Sequence, residues 1–171
     1  MERTANLLGA TALALTDLTL GGATNAVNVS TSGAAALVSL SAHPGLSVSE
    51  LGRRVGVSQS AATRMVDSLE ADGLAERRPN PFMTWMTTVY PTPAGDQTAH
   101  RILAARGSPL TDVVSALDED DQRALAGLLT KLLTRLYDHV GHAQYMCRLC
   151  DRTCCTEAST CPVGQAEKDR G

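Results

Sequence analysis

The chain has 171 residues and a formal net charge of −3, so no bulk positive charge advertises a nucleic-acid partner, and any DNA contact must rest on locally placed arginines. Apolar residues make up 43% and aromatics only 3%, which calls for a core of Leu, Val and Ala in closely packed helices. No run approaches the roughly 20 apolar residues of a membrane span. The N-terminal stretch is interrupted by Asn6, Thr11, Thr16 and Asp17, so it reads as an amphipathic helix of the mature chain rather than a secretion signal. A cytoplasmic protein with reduced cysteines is expected.

Residues 3–28 form the first expected helix. Leu7, Leu8, Leu13, Leu15, Leu18 and Leu20 give it a broad apolar surface with almost no charge, which asks for a second subunit as partner. Residues 31–42 are a helix of small residues, stopped at His43-Pro44-Gly45. In Ser47–Arg78, Val48, Leu51 and Val55 recur at helical spacing, and Gly56 then breaks the helix where a positive φ is cheapest. Ser58 is placed as an N-cap, and Ala62, Met65, Val66 and Leu69 line the inner face of a second helix. Its outer face carries Gln59, Ser60, Thr63 and Arg64, short polar groups followed by an arginine, as suits a helix that reads base edges in the major groove. The segment 50–78 holds five arginines against five acids, so positive charge there is a matter of geometry. Leu74–Arg78 and Met83–Tyr90 are expected to pair as a two-stranded wing, with Arg77 and Arg78 as phosphate contacts.

Thr92 and Pro93 then start another helix, as N-cap and first residue, with a kink expected at Gly107-Ser108-Pro109 before it resumes to about Ala116. The acids from Asp118 to Asp121 suit a helix N-terminus, Asp118 as cap, better than acid–base catalysis or metal binding. The helix they open carries Leu125, Leu128, Leu129, Leu132, Leu133 and Leu136 in one stripe, expected to pack between subunits.

This order, with LGRRVGVSQSAATRMVDSLEADGLAERR followed by TPAG, resembles the MarR (multiple antibiotic resistance regulator) family over about residues 3–140. The resemblance implies a mainly α fold: a winged helix-turn-helix with a two-stranded wing and long N- and C-terminal dimerisation helices. It also implies a homodimer that places one recognition helix per subunit in the major groove of double-stranded DNA. The expected division is residues 1–30 and 93–142 for dimerisation, 31–92 for DNA binding and 143–171 as a cysteine-rich tail. The wing departs from the family, whose tip usually carries an arginine for the minor groove. Here the tip reads FMTWMTT, with Trp85 near that position.

All five cysteines lie between residues 147 and 161. Cys147, Cys150, Cys155 and Cys161, with Cys154 as substitute for Cys155, have the spacing C-x2-C-x4-C-x5-C-P. Such a compact run ending in Cys-Pro points to an iron–sulfur cluster; zinc and a thiol–disulfide switch are the alternatives. Some MarR-like proteins carry a similar CRLCD…CPV tail. The tail is expected to be too polar to form a core of its own. His139 and His142 are possible substitute ligands, though histidines at a helix end are more often solvated.

The expected function is a transcriptional repressor on a palindromic operator, not an enzyme, whose affinity follows a cluster responding to redox state, nitric oxide or iron. The rivals are a metal or redox protein on a winged-helix scaffold that does not bind DNA, and a regulator sensing small phenolic ligands.

Overall fold

The computed structural model describes the backbone of residues 1–25, 27–83, 85–157 and 159–170, and the side chains of all of these except 20–25. The side chain of Leu20, counted above in the apolar face, and Thr84 of the wing lie outside the described residues. The elements are α1 (Glu2–Asn25), α2 (Thr31–Ala42), α3 (Val48–Val55), α4 (Gln59–Ala71), β1 (Ala75–Pro79), β2 (Thr87–Pro91), α5 (Pro93–Val114), α6 (Glu119–Val140), α7 (Ala143–Met146), α8 (Arg152–Thr156) and α9 (Pro162–Lys168).

Helix α2 is the hub. Its small residues let neighbours close in from every side, so Gly33 to Leu40 are all buried. Leu37 and Leu40 are fully covered, a burial that stabilises by about 1.5–3 kcal/mol for each such side chain. Around them gather Leu51 and Val55 of α3, Met65, Val66 and Leu69 of α4, Val89 of β2, and Ala99 and Ile102 of α5.

The helix starts fall where the short polar side chains are. Ser47, Ser58, Thr92 and Asp118 each accept a backbone N–H three residues on, from Glu50, Ala61, Gly95 and Asp121 respectively. Each such cap is worth about 1 kcal/mol. Thr92 also donates its hydroxyl to the Gly73 carbonyl at 2.7 Å, which locks the start of α5 to the end of α4. Gly95 makes the close packing possible, since a Cβ there would lie 1.9 Å from the Leu74 carbonyl oxygen.

Two boundaries differ from expectation. β2 begins at Thr87 instead of Met83, pairing antiparallel with β1 from Pro79↔Thr87 to Ala75↔Pro91. The reason is Asn80, whose Oδ1 accepts the N–H groups of Phe82 and Met83 at 2.8 and 3.0 Å and turns the chain before a ladder can form. Helix α5 runs unbroken through Pro109 to Val114 where a kink at 107–109 was expected.

The tail differs more. It is not an appendage without a core. Val163 and Ala166 of α9 are buried with Tyr137 of α6 and Ala143 of α7, and Leu133, Met146, Cys147 and Cys161 pack against them. Leu149 reaches the main core. Polar composition missed this because two apolar residues on one face of a short helix suffice once α6 supplies the other side.

Among the described residues no helix is long and apolar enough to cross a membrane.

Candidate nucleic-acid interface and cysteine cavity

The outer face of α4 is presented as a unit. Ser58, Gln59, Ser60, Thr63 and Arg64 are all exposed, while Ala62, Met65, Val66 and Leu69 anchor the opposite face. Ser58 has two tasks, since its hydroxyl caps Ala61 N and lies 3.3 Å from that of Ser60. Thr63 returns its hydroxyl proton to the Gln59 carbonyl at 3.1 Å, leaving its methyl and the Gln59 amide outward. Arg64 makes no ion pair among the described residues, so its guanidinium points to solvent uncommitted.

The two wing arginines part company. Arg77 is half-buried and spans Asp67, at 2.7 Å, and Glu70, with its backbone N–H also on Glu70 at 2.7 Å. It ties β1 to α4 instead of standing free. Arg78 is exposed, pairs with Glu76 and lies 4.9 Å from the centre of the Tyr90 ring. At the tip, Phe82 and Trp85 are 92% and 81% exposed, held outward by the Asn80 turn, and no charge stands between Arg78 and Thr92.

On the far side of α3 the tail builds a cavity of about 290 Å³. Cys147, Cys150, Cys155 and Cys161 all line it, with Arg152, Gln144 and Glu167. Cys154 does not: it is exposed, and its thiol donates to Asp151 at 3.3 Å. The spacing places them so for a local reason. The Cys150 N–H bonds the Cys147 carbonyl at 3.0 Å, closing a turn that aims both sulfurs one way, and Asp151 then caps α8, which carries Cys155. Cys161 precedes Pro162 at the start of α9, so the docking of α9 on α6 sets its position.

The sulfurs are unequal. A hydrogen bond from Cys147 and the charges of Arg106, Arg152 and Arg148 lower Cys150 to about 6 against the pull of burial. Cys147 is raised by that same bond, by burial and by the negative sulfurs of Cys150 and Cys161. Burial and Cys161 raise Cys155. Four soft sulfur donors in a partly cationic wall select zinc or iron–sulfur groups over oxygen-seeking ions. They are set around a volume and not around a point: among the described residues no three Cys, His, Asp or Glu side chains gather as a ready cage for one metal ion. Of the histidines considered, His139 is exposed on α6, and His142 accepts the Tyr145 N–H at 3.2 Å, its Nε2 buried without a partner.

Residues 27–82 match the model of the MarR family. The chain is similar to the MarR family over this segment and shares the winged helix-turn-helix fold of its solved members. The curated transcriptional repressor MdtR of Bacillus subtilis is 33% identical over 96 residues, 56% of this chain, and the match spans 62% of that repressor's length. The crystal structure of YusO from B. subtilis covers 77% of this chain and 93% of its own, at a TM-score of 0.68 and 28% identity. A MarR family regulator from Silicibacter pomeroyi covers 77% and 88%, at 0.57 and 28%. A Staphylococcus aureus MepR variant bound to an oligodeoxyribonucleotide shares the fold alone, at 17% identity, a TM-score of 0.60 and coverage of 78% and 97%. The shared fold thus spans about three quarters of this chain.

Proposed function

We propose that this protein is a transcriptional regulator, a repressor, that binds a palindromic operator as a homodimer and is controlled by an iron–sulfur cluster held at Cys147, Cys150, Cys155 and Cys161. The observation that carries the reading is the convergence of those four sulfurs on one cavity packed against a reading head. The family is one of regulators, which speaks against an enzyme, and a relative within it is a repressor. Gln59, Ser60, Thr63 and Arg64 read bases, Ser58 orders the helix start, and Arg78 rather than Arg77 reaches phosphate. The exposed leucines of α1 (Leu7, Leu8, Leu13, Leu18) and α6 (Leu128, Leu129, Leu132, Leu136) form the subunit contact. That contact sets the two reading helices about 34–36 Å apart, one turn of DNA.

When bound, the cluster supplies a charge and shape that respond to redox state, nitric oxide or iron. The chain supplies the thiolates, and Arg106, Arg148 and Arg152 offset their negative charge. A volume lined by sulfur suits a multi-atom group better than a single zinc ion. Zinc, or a Cys147–Cys150 disulfide, is the second reading, favoured by the single turn that places those two thiols side by side on the cavity wall.

Purification without air tests the cofactor: a brown protein with equal iron and sulfide supports the cluster, and a colourless zinc protein replaces it. Binding to the chain's own promoter region, measured at low and high salt, tests the regulator. Absence of binding in every cofactor state at low salt would remove the DNA-binding reading.

A further inference from the structure

We propose that Tyr145 is the positioning residue through which the cysteine cavity sets the corner of the helix-turn-helix, and hence the pose of α4; this rests on the regulator reading above. The corner is Gly56, in the left-handed conformation at φ 77°, where α3 ends. Two residues later Ser58 caps α4, so a small change at Gly56 swings the whole reading helix. The Tyr145 ring lies directly on this glycine. A Cβ on Gly56 would stand 2.3 Å from Cε2 and 2.9 Å from Cδ2 of the ring. No other residue type fits there, first for its φ and second for the ring.

The ring is held from its own side too. Arg148 lies over it, 4.1 Å from its centre, and donates from Nη1 to the Tyr145 carbonyl at 2.8 Å. Tyr145 sits in α7, a single turn capped at its start by His142 and at its end by Cys147. Cys147 lines the cavity, and the closed turn to Cys150 brings the second sulfur with it. Ring and cavity therefore share about one turn of backbone, with no loop between them to absorb a displacement. The Cys161 wall is fixed by Val163 of α9 and Tyr137 of α6. The α7 turn that carries Cys147 touches that same cluster on one side and α3 on the other. Whatever draws the four sulfurs together or lets them part shifts α7 between these two supports, and Tyr145 delivers that shift to Gly56.

Hydrogen exchange on the full-length protein tests this. The forms compared are protein purified without air, the same protein stripped with a chelator under reducing conditions, and C161S, which alters the wall remote from Tyr145. In the native sequence and in Y145F, stripping and C161S raise amide exchange at residues 54–60 several-fold. In Y145A, exchange there is already raised and neither change adds to it, while amides of α2 stay as slow as in the native chain. A merely structural Tyr145 would lower global stability without removing that response. The proposal is overturned if C161S leaves residues 54–60 unchanged, or if Y145A responds as the native chain does. Promoter binding forms a separate arm. If no form binds DNA, the regulator reading falls, while exchange still decides the linkage. If DNA binds, its affinity differs between native and stripped protein, and Y145A abolishes that difference.

Discussion

Arg152 of the tail acts electrostatically on His43 at the end of α2. Burial comes first in lowering the His43 pKa, and the charges of Arg152 and Arg54 lower it further. Its Nε2 is buried without a partner, so protonation adds a cation among cations. The unfolded chain, by contrast, protonates this histidine near the ordinary 6.5. Stability is then full above about pH 6.5 and declines as pH falls toward the depressed folded value, because the unfolded state takes up the proton first. Urea midpoints measured from pH 8 to pH 5 should fall on acidification, and H43Q should flatten that part of the curve.

Gly95 packs against the Leu74 carbonyl with no room for a methyl group. G95A should force α5 away from the end of α4 and cost about 1–3 kcal/mol, the usual range for overpacking. A lower urea midpoint at unchanged slope checks it.

Arg64 is uncommitted and Arg77 is tied, so the two should respond differently to removal. R64A should weaken specific DNA binding by about 1–3 kcal/mol, roughly 5- to 150-fold, with little effect on stability. R77A leaves Glu70 and Asp67 without their cation and should lower the melting temperature of the free protein. Fluorescence anisotropy with operator DNA, beside thermal melts, separates the two.

The wing tip carries no charge, so it releases no counterions. W85R should steepen the dependence of log affinity on log salt by about one unit. Trp85 is the single tryptophan of the chain. Its emission should therefore change on DNA addition if the wing touches the duplex; an unchanged spectrum would place the tip away from it.

Cys154 points to Asp151 and away from the cavity. With the proposed cluster bound at the other four cysteines, C154S should keep the iron and sulfide content found for the unsubstituted chain, whereas C161S should lose most of it. Equal losses in both would contradict the ligand set. For the proposed subunit contact, L132E on α6 should leave monomers in light scattering where the unsubstituted chain gives dimers.

Much of this was legible in the residues. Ser47, Ser58, Thr92 and Asp118 announce helix starts because a short side-chain oxygen acts on N–H groups three residues away, a purely local event. The apolar period of Val48 to Leu69 and the small residues of α2 fix which faces turn inward. The four cysteines singled out by their spacing line one cavity, because two lie in one turn and a third on the next helix.

What the order of residues did not show is where distant parts touch. Arg77 looks like a free basic residue until Asp67 and Glu70 lie across from it. The tail looks too polar for a core until α6 offers Tyr137 and Leu133 to Val163 and Ala166. Tyr145 and Gly56 carry no sign of each other in sequence. Their contact follows from the docking of α7 on α3, which depends on the summed packing of α2, α6 and α9 and on no local preference. Local hydrogen bonding and periodicity determined the elements; only long-range burial decided that the cysteine-lined cavity leans on the helix-turn-helix.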